Sequence, residues 1–163
     1  MRLLKLLFCL LLPLSLLACK PAAEQSQSDT APKYSFRKDG SLEVLSPQGV
    51  LKAQFDIEIV SSEQDLQRGL KYRDSMEDTQ GMLFIMDGQT PHPFWMQDTY
   101  LSLDIIYIDH NKQIFQIYPN TTPFSEETLP PEKLNAFTLE LKAGISANHN
   151  IEKGDIIRWQ ENQ

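Results

Sequence analysis

Five side chains in the central part of the sequence have the chemistry of a ligand-binding site. A guanidinium binds carboxylates and phosphates through two parallel hydrogen bonds, and an indole ring offers a large face for stacking. Basic residues combined with an aromatic residue therefore predict a site for a polar or anionic small ligand. The candidate binding residues are Arg68, Arg73, Trp95, Asp104 and Glu140.

Asp104 is the most informative of these residues, because it lies inside the apolar stretch LSLDIIYID. Alternation along a strand places it on the same face as Ile106 and Ile108. If that face is the core, a buried carboxylate there needs an ionic or hydrogen-bonding partner. The sequence therefore predicts that Asp104 is paired.

A helix predicted in SSEQDLQRGLKYR positions the two arginines, since Leu66 and Leu70 recur in it at helical spacing. On this helix Arg73 lies about 20° from Leu66 and points toward the core, while Arg68 lies almost opposite, on the outer side. Arg73 is thus the predicted structural partner of Asp104. The alternatives are a ligand-facing cleft that uses both groups and exposure of both.

Glu140 lies in FTLEL, where Phe137, Leu139 and Leu141 share one strand face and the carboxylate occupies the other. We expect it to be a solvated strand residue. A second carboxylate beside Asp104 would instead suit an acid/base hydrolase. No spacing in the sequence sets the separation of the two groups, so no catalytic residue is predicted.

A group of methionines and one histidine could suggest copper, because thioethers suit Cu(I) in a chain without free thiols. Two of the methionines, however, alternate as core residues of a strand do, and methionine commonly fills gaps in cores. The other histidines have no zinc-like spacing. We therefore predict no metal site and no cofactor. The residues weighed for copper are Met82, Met86, His92 and Met96.

Trp95 lies in the segment TPHPFWMQDT, directly between Phe94 and Met96. Apolar neighbours on both sides favour a strand with one buried face, so Trp95 is expected to anchor the core. The alternative is an aromatic platform in an exposed groove. Which of the two holds depends on which face of this segment is covered.

The N-terminus has the layout of an export signal. Arg2 and Lys5 precede a long apolar run, and the run ends in Leu16-Leu17-Ala18-Cys19, which resembles a bacterial lipobox. We predict a lipoprotein signal peptide over residues 1–18 and lipidation of Cys19, which anchors the chain to a membrane. The mature chain then has no free thiol, because Cys9 leaves with the signal.

Residues 19–40 are predicted to be the lipidated N-terminus and a flexible tether rich in Pro, Ala, Ser and Gln. Loss of Arg2 and Lys5 with the signal takes the formal net charge from −7 to −9, which disfavours nucleic acid as a partner. Lys20 after the lipidated cysteine favours the outer membrane, facing the periplasm, and surface display stays open.

Residues 41–161 are predicted to form one domain, since about 120 residues are enough for a single core. Short β-prone runs separated by turn residues predict a mostly β (α+β) fold, a compact β-barrel-like domain with one or two short helices. A loop with several prolines is predicted between Tyr118 and Asn135. The predicted strands are Leu42–Leu45, Val50–Val60, Met82–Met86, Pro93–Met96, Leu101–Asp109, Gln113–Pro119, Asn135–Leu141 and Asp155–Trp159.

Several short motifs follow one another in a fixed order across this domain. They are Arg68-Gly69-Leu70 with Arg73, Gly81-Met82-Leu83-Phe84, Phe94-Trp95-Met96, Leu103-Asp104-Ile105-Ile106, Leu139-Glu140-Leu141 with Ala143-Gly144, and Gly154-Asp155. In this order the chain resembles the domain of unknown function 192 family of small, often exported proteins. The resemblance implies a small β fold of barrel type, no agreed enzymatic activity and frequent attachment as a lipoprotein. Gln97-Asp98-Thr99 departs from the basic-Asn-Thr of that family, and the long loop lacks its cysteines.

We therefore expect an envelope lipoprotein that acts as a non-enzymatic binding module for a polar or anionic small ligand, such as an envelope saccharide or peptide. The ligand would lie between the helix that carries the arginines and the strands that carry Trp95 and Asp104. Two alternatives remain: an envelope hydrolase using Asp104 and Glu140, and a structural or protein-interaction lipoprotein that uses its proline-rich loop as the contact surface.

Overall fold

The computed structural model describes residues 35–162, which contain seven strands and two short helices. The predicted signal peptide, Cys19 and most of the predicted tether lie outside these residues. The elements are β1 Gly40–Leu45, β2 Leu51–Val60, α1 Glu63–Arg68, β3 Gln80–Ile85, β4 Leu103–Ile108, β5 Ile114–Tyr118, β6 Phe137–Lys142, α2 Ile145–Asn148 and β7 Ile156–Glu161.

The strands form one sheet in the order β5-β4-β6-β3-β2-β1-β7. Neighbouring strands are antiparallel except β2 and β3, which are parallel. A parallel pair needs a crossover connection, and the crossover here, residues 61–79, carries α1. The sheet curls into a half-barrel: at one end its two edge strands meet, where Ile114 N donates to Asp155 O at 2.8 Å and Ile157 N to Lys112 O at 2.9 Å.

Apolar side chains are buried on both faces of this sheet. One face forms the barrel core, to which all seven strands contribute. The other face forms the crossover core, which contains residues of the crossover as well as of the strands. The barrel core contains Leu42, Val44, Ala53, Phe55, Ile57, Leu83, Ile106, Ile108, Ile114, Leu139, Leu141, Ile145, Ile151 and Ile157. The crossover core contains Val60, Leu70, Met76, Met82, Phe84, Met96, Leu103, Ile105 and Tyr107.

The predicted fold class is confirmed: residues 35–162 are mostly β, with two short helices and a curled sheet. Seven of the eight predicted strands match observed strands with small shifts at their ends. The predicted strand at Pro93–Met96 is wrong, because only Phe94 forms a bridge there, to Leu129. A strand in this segment would need a continuous partner, and the opposite segment belongs to the proline-rich loop.

Residues just before the predicted domain boundary already pair with the sheet. Arg37 N donates to Glu58 Oε1 at 3.2 Å and Asp39 N donates to Ile57 O at 2.9 Å. The last part of the predicted tether is thus hydrogen-bonded to β2. Within residues 35–162, no helix has the length and apolar character needed to cross a membrane.

Candidate functional site

A cavity of about 710 Å³ opens between α1 and the segment that holds Trp95. The turn after α1 forms one wall, and residues of β3 and β6 reach it from the crossover face of the sheet. Its lining is mainly apolar, with a few charged groups. The lining residues are Glu63, Leu66, Gln67, Arg68, Gly69, Leu70, Lys71, Phe84, Met86, His92, Pro93, Phe94, Trp95, Thr99, Thr128 and Glu140.

The wall formed by α1 depends on a sharp stop at Gly69. The helix begins with Ser62, whose Oγ accepts a hydrogen bond from Asp65 N at 3.2 Å, and it ends at Arg68. Gly69 has φ +48, and a Cβ there would lie 3.2 Å from the ring of Phe84. Glycine therefore permits both the change of chain direction and the close approach of the turn to β3. The prediction of a helix that continues to Arg73 is wrong, because α1 ends at Arg68.

Trp95 stands at the cavity and is 45% exposed. The Lys71 ammonium lies 5.3 Å from its ring centroid. Its neighbours hold the segment in place: Phe94 N donates to the Tyr107 hydroxyl at 3.1 Å, and Met96 is buried in the crossover core. The prediction that Trp95 anchors the core is wrong, because Phe94 and Met96 take that role and leave the indole facing the groove.

Glu140 reaches the cavity from β6 and is only 5% exposed, so the expectation of a solvated residue is wrong. Its Oε2 has no hydrogen-bond partner among residues 35–162. Burial raises the pKa of the Glu140 carboxyl to about 8, against a smaller opposing effect of the positive charge on Arg73. Glu140 does lie on the strand face opposite Leu139 and Leu141, as predicted, but the crossover covers that face.

Arg73 is buried near Glu140, but its partner is Glu58. Its Nη2 donates to Glu58 Oε2 at 2.7 Å and its Nη1 donates to Glu58 Oε1, which makes a bidentate pair. Arg73 Nε has no hydrogen-bond partner in the described part of the chain. Arg73 points inward as predicted, although it lies beyond the helix, and the predicted pair with Asp104 does not form.

Asp104 lies on the barrel-core face of the sheet, which is the face of β4 that also carries Ile106 and Ile108. The cavity lies on the opposite face. Asp104 is fully buried, and its oxygens accept four hydrogen bonds. The donors are Asn120 N at 2.9 Å, Gly144 N at 3.1 Å, Ser146 N at 2.9 Å and Ser146 Oγ at 2.6 Å. Asp104 therefore holds two loops and the start of α2 against β4, and it does not line the cavity.

The register separates the two carboxyls of the hydrolase alternative. Asp104 pairs with Leu141 and Ile105 pairs with Glu140, so Asp104 and Glu140 project from opposite faces of the sheet. Two groups on opposite faces cannot act together on one bond. The Asp104 and Glu140 pair is therefore not a catalytic pair in this fold.

Arg68 lines the cavity, although it was predicted to lie on the outer side of the helix. Its guanidinium Nη2 donates to Asp65 Oδ1 at 2.6 Å, a pair between adjacent turns of α1. Of the five candidate residues, the cavity brings together Arg68, Trp95 and Glu140. Arg73 lies on the same face of the sheet, and Asp104 is excluded.

The residues weighed for copper are divided between the core and the cavity. Met82 and Met96 are buried in the crossover core, while Met86 and His92 line the cavity. His92 Nε2 lies 3.2 Å from Asp87 Oδ1. Among the residues that the structure describes, no three His, Cys, Asp or Glu side chains are grouped to hold a metal ion.

Sequence reasoning missed Glu58 and Lys71. Alternation along the predicted strand Val50–Val60 places Glu58 with Asp56 on the face opposite Phe55 and Ile57, which predicts a solvated residue, but the crossover buries Glu58 at 3% exposure. The inward aim of Arg73 was a signal that a buried carboxylate must exist. Which carboxylate this is depends on the parallel pairing of β2 with β3, which places Glu58 beside Met82. Local sequence patterning does not encode that pairing.

Comparisons with known proteins agree with this fold. A protein of unknown function from Novosphingobium aromaticivorans has 28% identity and a TM-score of 0.69 over 73% of this chain and 84% of its own. A Sinorhizobium meliloti protein described as a candidate transcription regulator has 28% identity and a TM-score of 0.71 over 78% of this chain and 95% of its own. No match was found among the curated proteins.

The sequence resemblance is confirmed by the family comparison. The family model of DUF192, described as an uncharacterized ACR, matches residues 44–159, which span β1 to β7. This range includes both the cavity and the buried Glu58 to Arg73 pair. The chain therefore belongs to the domain of unknown function 192 family.

Proposed function

We propose that this chain is a non-enzymatic binding module that holds a small polar ligand in the cavity beside α1. The observation that carries the proposal is the combination of aromatic walls with an unpartnered, buried carboxyl oxygen of Glu140. Small-molecule sites have volumes of about 300–1,000 Å³, apolar walls and a few oriented polar groups. The cavity has all three properties.

An envelope saccharide or peptide is the ligand class that we infer. Trp95 offers an exposed ring face for stacking, and Glu140 offers a hydrogen-bonding group deep in the cavity. Two cooperating arginines would have favoured an anionic ligand. Arg73 is committed to Glu58, so the basic lining is reduced to Arg68 and Lys71. A polar ligand is thus better supported than an anionic one.

The candidate regulator described for Sinorhizobium meliloti suggests a role on DNA, which we do not infer for this chain. Its formal net charge is −7, and an acidic protein is repelled by the phosphate backbone. Among the charged groups of the cavity, the basic Arg68 and Lys71 are offset by Asp65 and Asp98, with Lys71 Nζ 3.6 Å from Asp98 Oδ2. The charge distribution supports a small ligand.

We further propose that the domain is attached to the outer membrane by lipid on Cys19 and faces the periplasm. The support is the signal-like run that ends in Leu16-Leu17-Ala18-Cys19, with Lys20 after it. A palmitate analogue fed to expressing cells should label the wild-type chain and leave Cys19→Ser unlabelled. Recovery of wild-type protein in the soluble periplasmic fraction, without label, would contradict this part of the proposal.

A second candidate function, contact with another protein, is favoured by an exposed aromatic cluster. Tyr72, Tyr100 and Phe124 are 43%, 43% and 58% exposed. Their rings lie in a row, 6.4 Å between the first two centroids and 5.3 Å between the last two. Phe124 has φ +61 in the proline-rich loop, a conformation that a bulky residue rarely adopts. Exposed aromatic residues on a constrained backbone are typical of interaction surfaces.

Crosslinking in cells tests this second function. A crosslinked partner that is lost with Phe124→Ser and kept with Glu126→Ser, an exposed neighbour in the same loop, would support a contact surface. The same adducts with both variants, or none with the wild type, would reject it.

Fluorescence of Trp95 tests the binding function directly. The chain contains only two tryptophans, so Trp159→Phe leaves Trp95 as the single reporter at the cavity. Muropeptides released from peptidoglycan should change its emission in this variant. Thr128 lines the cavity, so Thr128→Phe should place a ring in the cavity and abolish the change in emission. Thr122 is exposed and does not line the cavity, so Thr122→Phe should preserve the change. An equal response in both variants would show that the cavity is not the site.

A further inference from the structure

The crossover face of the sheet contains more acidic than basic buried groups. Glu58 on β2 and Glu140 on β6 flank the strand that carries Met82, since each is in register with that residue. Their backbones are thus separated by two strand spacings, about 10 Å. Arg73 is the buried guanidinium on this face, and it binds Glu58 with both terminal nitrogens. Among residues 35–162, Glu140 therefore has no ion-pair partner, and the charge on Arg73 acts on it only at longer range.

Glu140, which lacks an ion-pair partner, is positioned beside the cavity, where a ligand can bind. Its carboxyl is almost fully buried, yet it lines the cavity, and its Oε2 has no hydrogen-bond partner. In native proteins a buried polar atom without a partner is uncommon and calls for a group that completes it. Because this oxygen is itself buried, a ligand group in the cavity would reach it after a small rotation of the Glu140 side chain.

The rings around the cavity limit which group fits best beside this carboxyl. Phe84, Phe94 and Trp95 all line the cavity, and the Phe84 and Phe94 centroids are 4.9 Å apart. The faces of aromatic rings attract ammonium groups and do not attract carboxylates or phosphates. A carboxyl group next to aromatic rings is therefore a site for a cation with an apolar neighbourhood.

We propose that the ligand carries a primary ammonium group and that Glu140 is its counter-ion inside the cavity. This inference rests on the proposed binding function and narrows it, because a peptide or another amine fits while a neutral saccharide does not. The Arg68 and Lys71 side chains at the cavity wall would then face the opposite end of the ligand. An amine linked to a neutral polar group satisfies both ends.

The proton balance of this step follows from the protonation of Glu140 before a ligand binds. Because the pKa of Glu140 is raised to about 8, its carboxyl holds a proton at neutral pH. When a ligand ammonium binds, the Glu140 proton leaves to solvent, so one proton is released for each ligand bound and no other bond changes. Below about pH 8, the apparent affinity should rise up to about tenfold for each pH unit.

Other ionisable groups around Glu140 come from every element near it. Arg73 and Glu58 lie on the same face, and Tyr107 on β4 is close enough for the Glu140 charge to raise its pKa further, although burial is the larger cause. The remaining groups line the cavity wall. They are Glu63 and Arg68 on α1, Lys71 in the following turn and His92 in the opposite segment.

Three probes that share a phenyl ring separate the ligand class from cavity binding itself: 2-phenylethylamine, 2-phenylethanol and 3-phenylpropionate. Binding is measured from Trp95 fluorescence in the Trp159→Phe background at about pH 6 and about pH 8. We expect the amine to bind on the order of 50-fold more tightly at the higher pH, and the alcohol to bind weakly at both. Calorimetry of the amine in two buffers of different ionisation enthalpy should show proton release.

Matched variants complete the design. Glu140→Gln keeps the size of the side chain and removes its charge. In this variant the amine should no longer bind more tightly than the alcohol, and its affinity should no longer depend on pH, while the affinity for the alcohol stays the same. Glu127→Gln, an exposed carboxyl that does not line the cavity, should behave as the parent. Retained alcohol binding by Glu140→Gln shows that the cavity is intact, and Glu140→Met provides a second uncharged variant.

The outcomes distinguish this inference from the proposed function. If the alcohol or the carboxylate binds as tightly as the amine, or if amine affinity is the same at both pH values, the cavity binds ligands but Glu140 is not an ammonium counter-ion. If none of the three probes changes Trp95 fluorescence at millimolar concentration while muropeptides do, the inference is wrong and the proposed function stands. If muropeptides also leave the fluorescence unchanged, both are wrong.

Discussion

Two buried carboxyl groups on adjacent strands have opposite surroundings in this protein. Asp104 on β4 and Glu140 on β6 are one register position apart, yet they project from opposite faces of the sheet. Asp104 accepts four hydrogen bonds in the barrel-core face. Glu140 leaves Oε2 unpaired beside a cavity. The difference indicates that one carboxyl is used to build the fold and that the other retains its capacity to bind.

The largest effect is expected from removing the structural carboxyl. Asp104→Ala leaves the backbone N–H groups of Asn120, Gly144 and Ser146 without their acceptor. An orphaned buried donor costs about 1–3 kcal/mol, or about 3–9 kcal/mol for three. Only the bond from Ser146 N is fully buried, whereas those from Asn120 N and Gly144 N are partly buried, so urea unfolding should show a loss of about 3–6 kcal/mol. Asp104→Asn, which keeps one oxygen, should lose less. A loss of unfolding free energy below about 1 kcal/mol in Asp104→Ala would show that Asp104 is not a structural carboxyl and would contradict its contrast with Glu140.

The next effect concerns the buried ion pair beneath the cavity. Arg73→Met leaves Glu58 buried without its cation, which should lower the free energy of unfolding by about 3–5 kcal/mol. The double variant Glu58→Leu with Arg73→Met should recover much of this loss, because an apolar pair needs no counter-ion. Urea unfolding of the two variants measures the recovery. Equal losses would indicate that packing, and not charge, dominates this pair.

The pH dependence of stability sharpens the comparison at Glu140. Its pKa is raised from the usual 4.5 to about 8, so between these values the unfolded chain has lost a proton that the folded chain keeps. The stabilisation is complete below about pH 4.5 and is lost progressively as the pH rises through about 8, by up to about 1.4 kcal/mol per pH unit.

Glu140→Gln cannot undergo this titration and should therefore lose less stability than the wild type between about pH 5 and about pH 8. Thermal unfolding of both proteins across that range gives the difference, and Glu127→Gln serves as the exposed control. Parallel stability curves for the wild type and Glu140→Gln would show that Glu140 titrates as an ordinary carboxyl.

The smallest stability effect is expected at Trp95. Because the indole is 45% exposed, Trp95→Ala should change the free energy of unfolding by less than about 1 kcal/mol. Phe94→Ala, which removes a ring packed between Phe84 and Tyr107, should cost several times more. Thermal unfolding of the two variants is the measurement. Equal costs would return Trp95 to the role of a core anchor.

The sequence predicts the elements of this fold well because each strand has its own pattern. Alternation identified β2, β4 and β6, and it placed Asp104 and Glu140 on the correct sides of their strands. It could not tell that both sides would be covered. A polar residue in a period of two normally indicates a wet face, and Glu58 and Glu140 break that rule because the crossover lies over them.

The partners of the buried charges are set by strand order, which no local signal encodes. Arg73 was expected to meet Asp104, since both were inferred to be buried. Parallel pairing of β2 with β3 brought Glu58 to Arg73 instead, and loops gathered around Asp104. Gly69 held a usable signal, because a glycine near the end of a helical pattern often terminates the helix.

The pairing of β1 with β7 has a consequence for the way the domain folds. Gly40 is in register with Glu161, so the first strand is held between β2 and the last strand. Contacts between residues far apart in sequence slow folding, because a long loop must close before they form. The contact order is further raised by the β3 to β6 pairing. We therefore expect slow folding in which the sheet is completed only after the final strand is available.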